Sequence, residues 1–293
     1  MKKRTVLVLG SSGQLGKEII NDKKIKKYFK IFSKSRKEVD ITNFKEVKKI
    51  IENKKPDFVI NCAAYTNVDK AEKDYEKAHL VNFKAVENIA KLSNEYKSKL
   101  IHISTDYIFD RKIKRPIKEN IQPMPINKYG LSKYLGEKSI VRFHDEYYIL
   151  RVGWLYGRYG NNFPKKIIKL AKEKRELHVV NDQLGSPTPA SLVANSIYKI
   201  MISNKKYFGI YNISPNGICS WFEVAKLINK EISNIEIQKY KIKKVFPISS
   251  NSLKIAAKRP KYSYLSNQKI KKTYNLSIHD WDFYLKRFLE KEL

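Results

Sequence analysis

The first half of the chain alternates between two hydrophobic periods. Thr5-Val6-Leu7-Val8-Leu9 is a continuous apolar run with β-branched residues, closed by Gly10. A short run of this kind reads as a strand buried on both faces, as in parallel sheets. A helical pattern takes over from Lys17. Further strand-like runs fall at residues 28–33, 58–61, 100–104 and 147–152. Helix-like segments at 43–53, 75–96 and around Tyr129 separate them, the last preceded by a loop carrying Pro116, Pro123 and Pro125. Alternating strands and helices predict an α/β protein with a doubly wound parallel sheet. After Trp154 the pattern loosens into turns, such as 182–188 and 215–217, with helical periods at 163–174, 191–202, 221–232 and 279–289. The expectation is a Rossmann-like domain over residues 1–153 and a smaller mixed α/β domain over 154–293, with segments crossing back to the first.

The turn after the first strand is Gly10-Ser11-Ser12-Gly13-Gln14-Leu15-Gly16. Strand, glycine-rich turn and helix together form a dinucleotide pyrophosphate site, because glycines let the backbone approach the phosphates and the helix start offers unpaired N–H groups. The spacing is G-x-x-G-x-x-G. The second strand ends near Lys34 and Arg36, with no acidic residue at its tip. An acid there grips the ribose 2′-hydroxyl of NAD, whereas cations favour the 2′-phosphate of NADP. Asp40 and Ile41 follow, placed to meet the adenine. Ligands of such sheets bind beyond the C-terminal ends of the strands. Asn61-Cys62-Ala63-Ala64-Tyr65 and Ser104-Thr105-Asp106 both lie at such ends.

Tyr129 and Lys133 stand four residues apart in a helical pattern, hence on one helix face. An ammonium near a phenol is expected to lower the phenol's pKa from about 10 towards neutrality. Tyr129 then becomes a general acid or base.

Together these motifs resemble the extended short-chain dehydrogenase/reductase superfamily, and within it the dTDP-4-dehydrorhamnose reductase family. The resemblance covers nearly the whole chain. It rests on the glycine turn, on the segment from Asn61 to Glu72, which reads N-C-A-A-Y-T-N-V-D-K-A-E, and on Ser104-Thr105-Asp106-Tyr107. Asn127-x-Tyr129-Gly130-x-Ser132-Lys133, Arg151-x-x-Trp154, Asn162-Phe163, Asp182-Gln183-x-Gly185-x-Pro187-Thr188 and Arg259-Pro260 follow in order. Three positions depart from the family pattern: Arg111 after Asp110, Gly153 where a small hydroxyl residue is common, and Tyr262 in place of Asn.

The resemblance implies roles. NADPH (or NADH) delivers hydride to the C4 ketone of a nucleotide-linked 6-deoxy sugar. Tyr129 protonates the resulting oxygen, Lys133 holds the nicotinamide ribose, Thr105 orients the ketone, and Asp106 tunes that group. Gly10, Gly13, Gln14, Leu15, Gly16, Lys34, Asp40, Ile41, Ala63, Ala64 and Tyr65 join Tyr129 and Lys133 around the cofactor. Trp154, Asn162 and Asp182 line the substrate side with Thr105 and Asp106. The implied product is dTDP-L-rhamnose for cell-surface polysaccharide. A reductase of another 4-keto-6-deoxy sugar nucleotide, or a non-catalytic regulatory subunit on the same fold, are the competing readings. The second is disfavoured because Thr105, Tyr129 and Lys133 are all present.

Charge changes this picture little. Lys and Arg number 60 against 29 acidic residues, a formal net charge of +31. Most of the excess is lysine scattered along the whole chain, and arginine, the better bidentate ligand, is scarce. No specific nucleic-acid partner follows from it. Two cysteines, Cys62 and Cys219, imply no disulfide framework and fit a reducing cytoplasm. The apolar run after the basic start breaks at Gly10, too short for an export signal, and no stretch reaches membrane-spanning length. The expected location is cytoplasmic, with no metal site and room for a homodimer.

Overall fold

The computed structural model describes residues 3–109, 115–234, 240–253 and 256–293. The Asp110-Arg111 departure lies outside them. The first half contains β1 (Arg4–Leu9), α1 (Gln14–Asn21), α2 (Lys23–Tyr28), β2 (Phe29–Lys34), α3 (Phe44–Lys54), β3 (Phe58–Asn61), α4 (Val68–Lys73) and α5 (Tyr75–His79). A single π-helical turn, Leu80–Lys84, leads into α6 (Ala85–Glu95). Then come β4 (Lys99–Thr105), α7 (Lys128–Phe143) and β5 (Tyr147–Val152). The second half adds β6 (Leu155–Tyr156), α8 (Phe163–Glu173), β7 (Glu176–Val180), β8 (Leu184–Gly185), β9 (Thr188–Pro189), α9 (Ala190–Ile202) and β10 (Gly209–Ile213). It ends with β11 (Cys219–Ser220), α10 (Trp221–Ser233), β12 (Lys244–Ile248), α11 (Gln268–Tyr274) and α12 (Trp281–Glu292).

The central sheet has six strands in the order β10-β5-β4-β3-β1-β2, all parallel. The inner strands are mostly apolar on both faces because helices cover both, whereas the edge strand β2 exposes Lys30 and Ser33. One face is closed by Leu15, Ile19, Val193, Ile197 and Ile270, the other by Val47, Ile51, Val86, Ile89 and Ile140. The edge strand β10 and the covering helices α9 and α11 come from beyond residue 154, so the 153/154 boundary does not separate the cores. A third core, holding Ile167, Leu177, Val224, Ile228 and Leu285, joins α8, β7, α10 and α12. Three elements differ from the periodicity. The first helix begins at Gln14, the run at 75–96 is broken by the π turn, and β7 and β12 form a small parallel pair.

Candidate active site

The glycine turn is shaped by backbone crowding. Gly10 has φ +76°, and a Cβ there would lie 2.6 Å from the Ala63 nitrogen. A Cβ on Gly16 would lie 2.3 Å from the Gly10 carbonyl oxygen. Both therefore hold α1 against the ends of β1 and β3. Gly13 is different: its Cβ would meet only the Gly10 carbonyl oxygen, at 3.3 Å. The turn forms one wall of a cleft of about 340 Å³ that also takes in Arg36, Val39, Asp40, Ile41, Cys62, Ala63, Ala64 and Tyr65. A cradle that a side chain on Gly10 would crowd, lined by apolar groups, the Arg36–Asp40 pair and the polar Ser12, Thr66 and Asn67, fits an extended dinucleotide. Leu15 is buried in the core, and the Gln14 amide donates to the Leu155 carbonyl at 3.1 Å, so neither side chain faces this cleft.

Lys34 does not line the cleft. Its ammonium pairs with Glu38 at 3.6 Å, and Arg36, which does line it, pairs with Asp40 at 3.4 Å. The sequence shows no acid at the tip of β2, but the following turn brings Glu38 and Asp40 back beside it. Both pairs are exposed and stabilise little.

α7 carries Tyr129 and Lys133, and its start is fixed by residues distant in sequence. Asn127 caps it, accepting from Gly130 N–H at 2.7 Å and donating to the Lys258 carbonyl at 2.8 Å. Glu72 accepts from Lys128 N–H at 2.8 Å, and Asp69 pairs with Arg259 at 3.0 Å. The fully buried Asn82, in the π turn, accepts from Tyr65 N–H at 2.9 Å and donates to Ser132 Oγ at 3.0 Å. Such turns recur at functional sites.

Tyr129, Thr105 and Asp106 are all buried where β4 ends. Burial pushes the Tyr129 phenol up to about 12, and the Thr105 hydroxyl beside it opposes this only in part. The expectation that Lys133 lowers this pKa is corrected by the geometry. Lys133 Nζ donates to the Ile103 carbonyl at 2.7 Å and sits 3.2 Å from His102 Nε2. Burial pulls the Lys133 ammonium down to about 8, with Glu137, one turn along, acting the other way. The phenol therefore keeps its proton at neutral pH.

Thr105 donates to Asp106 Oδ1 at 3.1 Å and accepts from Tyr107 N–H at 3.2 Å. Burial raises the Asp106 carboxyl to about 6. Gly153 faces this carboxyl directly, since a Cβ there would lie 2.8 Å from Asp106 Oδ2. The glycine at this position thus leaves room for the Asp106 carboxyl, which any side chain here would crowd. The folded carboxyl binds its proton more tightly than the unfolded one, so stability falls as pH rises from about 4 to about 6 and stays reduced above that. Asp106→Asn is accordingly expected to be more stable than wild type at pH 7 by roughly 1–3 kcal/mol, and to lose that advantage near pH 4. Urea unfolding at the two pH values measures it; equal stability at pH 7 would refute a charged, buried Asp106.

On the other side, Trp154 adopts φ +49° and stacks on Trp221, with ring centroids 3.6 Å apart. A left-handed non-glycine residue stores strain that surrounding structure must hold. Asn162 caps α8 and donates to Gln14 Oε1 and the Gly157 carbonyl, both at 2.8 Å. Asp182 accepts from Ser250 N–H and Oγ at 2.8 Å. Both polar ends are thus engaged within the chain. Tyr262 packs on Ile108, Phe109, Ile117 and Leu265, against the turn that carries Asp106. His102, Asn82 and Arg36 are the residues this geometry adds or promotes. Among the described residues no three His, Cys, Asp or Glu side chains gather to hold a metal, and no helix is long and apolar enough to cross a membrane.

The architecture has close counterparts. Residues 4–293 match the family model described as RmlD substrate binding domain. The dTDP-4-dehydrorhamnose reductase of Escherichia coli K12 is 34% identical, covering 86% of this chain and 85% of that one. The spore coat polysaccharide biosynthesis protein SpsK of Bacillus subtilis is 35% identical, covering 98% and 97%. The crystal structure of dTDP-4-dehydrorhamnose reductase from Bacillus anthracis in complex with NADP superposes with a TM-score of 0.92 at 38% identity, covering 99% and 100%. With its cradle at the ends of β1 and β3, its Thr–Tyr–Lys group at the end of β4, and likeness along its full length, this chain belongs to the dTDP-4-dehydrorhamnose reductase family.

Proposed function

We propose that this chain reduces the C4 ketone of dTDP-4-dehydro-L-rhamnose to give dTDP-L-rhamnose, with NADPH as the reductant. The observation that carries the reading is the adjacency of two sites. Tyr65 lines the dinucleotide cleft and packs against the cluster that holds Tyr129, so the cleft lies beside the Thr105–Tyr129–Lys133 group. When bound, the nicotinamide supplies the hydride. The chain's own residues supply the rest. Thr105 and Tyr129 bind the ketone oxygen and polarise it. Tyr129, protonated at rest, gives its phenolic hydrogen to that oxygen as negative charge develops there. The high pKa of the resting phenol suits this direction, because reduction needs a proton donor. Lys133 stands one helical turn from Tyr129 to offset the phenolate left behind. The third core, with Trp154 and Trp221 at its rim, forms the sugar-nucleotide side; α9, β10 and α11 serve the sheet instead. Incubation with dTDP-4-dehydro-L-rhamnose and NADPH, followed by assignment of the C4 configuration, tests the reading. Absence of NADPH oxidation refutes it, and a C4 epimer reassigns the sugar.

Arg36 favours NADPH over NADH, since its guanidinium can pair with a 2′-phosphate. It is exposed and shared with Asp40, so the preference is modest and falls with salt. Arg36→Ala is expected to cut kcat/KM for NADPH roughly five- to tenfold and to leave that for NADH within about twofold. An equal loss for both cofactors would show that Arg36 does not read the phosphate.

A further inference from the structure

His102 has no part in the chemistry described so far. It lies within β4, its ring is fully buried, and both ring nitrogens face polar atoms. Nδ1 is 3.2 Å from Asn61 Nδ2, and Nε2 is 3.2 Å from Lys133 Nζ. The orientation of the Asn61 amide is set by the backbone, because its oxygen accepts from Ala63 N–H at 3.0 Å. The group facing the imidazole is therefore the amide nitrogen, which only donates. Nδ1 must accept, so a neutral ring carries its proton on Nε2. That N–H points at Lys133 Nζ. An amine accepts it through its lone pair; an ammonium has none to offer. Nζ in turn donates to the Ile103 carbonyl at 2.7 Å. The hydrogen bonds thus run in one direction, from Ala63 through Asn61, His102 and Lys133 to Ile103.

We propose that His102, with its tautomer set by Asn61, is a positioning residue that seats Lys133 on β4 and disfavours its ammonium form. The inference rests on the reading of Lys133 as the partner of Tyr129 given above. Of the groups near Nζ, Glu137 acts the other way, but burial outweighs it. The Glu137 carboxylate is committed to Arg151 at 2.7 Å, and burial holds the Cys62 thiol at about 12, hence neutral. The ring cannot relieve the mismatch by taking a second proton, because burial and the Lys133 charge hold its pKa well below the usual range. Burial already brings the lysine's proton equilibrium near working pH, at about 8, and the His102 N–H acts in the same direction. The uncharged fraction can then gain a proton from solvent as the Tyr129 phenolate forms, so that the full charge faces the phenolate.

Two measurements test this. The first uses cofactor-free protein labelled with 15N-histidine. A long-range 1H–15N correlation at pH 7 is expected to show His102 as the neutral Nε2–H tautomer, with no titration down to about pH 5. The signal is assigned by its loss in His102→Gln or, if that variant does not fold, by removing the other four histidines in turn. An Nδ1–H tautomer or a charged ring overturns the proposal. The second is the pH dependence of kcat/KM, which reports the free enzyme. The amide of His102→Gln is free to turn its oxygen towards Nζ, which stabilises the ammonium. The alkaline limb is then expected to move up by about one pH unit, a tenfold change in the acid constant. A purely structural His102 would lower the thermal midpoint and leave the limb in place, and that result also overturns the proposal.

Discussion

Tyr129→Phe is expected to lose about 10²–10⁴-fold in kcat, the usual worth of a general acid, and to bind NADPH as tightly as wild type. The ring's packing survives the change. Tyr129 meets Tyr107 edge-on at 5.6 Å and is enclosed by Tyr65, Val68, Ala71 and Ala78, contacts that Phe retains. Only the hydroxyl is removed, and with it the proton next to Thr105. Because burial holds the phenol at about 12, wild-type kcat should show no acid–base step from Tyr129 between pH 6 and 9. Single-turnover reduction and a fluorescence titration of NADPH separate chemistry from binding. Turnover within about threefold of wild type would remove Tyr129 as proton donor; a parallel loss of cofactor affinity would instead mark it as a binding residue.

Glu137→Gln is expected to cost the fold roughly 3–5 kcal/mol, as breaking a buried ion pair from one side does. Arg151 and Glu137 are both about 2% exposed and meet through Nε at 3.0 Å and Nη2 at 2.7 Å. Arg151 Nη1 also donates to the Glu119 carbonyl at 3.1 Å, and the guanidinium lies over Phe109. Gln leaves the guanidinium buried without a counter-charge. The thermal midpoint should fall by roughly 5–15 °C. The double variant Glu137→Leu/Arg151→Met should recover much of that, since an apolar pair avoids desolvating charge. A single variant melting within about 2 °C of wild type would show that water reaches the pair. Glu137 also raises the proton affinity of Lys133, so its loss should move the alkaline limb of kcat/KM to lower pH. That is opposite to the direction expected for His102→Gln, so the two changes read the same lysine from different sides.

Much of the site was readable because its signals are local. The glycine turn needs only the close approach of α1 to β1, and the Tyr129–Lys133 pairing needs only one helical turn. The segment from Asn61 to Glu72 is recognisable as a string, yet what its polar residues do is not. Asp69 and Glu72 hold Arg259 and the start of α7, across 190 and 56 residues. Nothing in the spacing announces that a family signature serves to aim a helix. Lys34 shows the reverse failure. It stands at the expected strand end, but a turn four residues long gives it Glu38 instead of a phosphate.

What the sequence determined by itself is therefore the order and type of the main elements of the first half, the cradle and the candidate reacting side chains. These follow from hydrophobic period and from residue chemistry, which neighbours a few positions apart already specify. What only the tertiary structure decided is their state. Whether Tyr129 holds its proton, whether Lys133 is charged, and which tautomer His102 adopts all depend on burial and on partners up to 41 residues away. Desolvation and hydrogen-bond direction are properties of a closed space, and no run of residues carries them until the chain has folded around it.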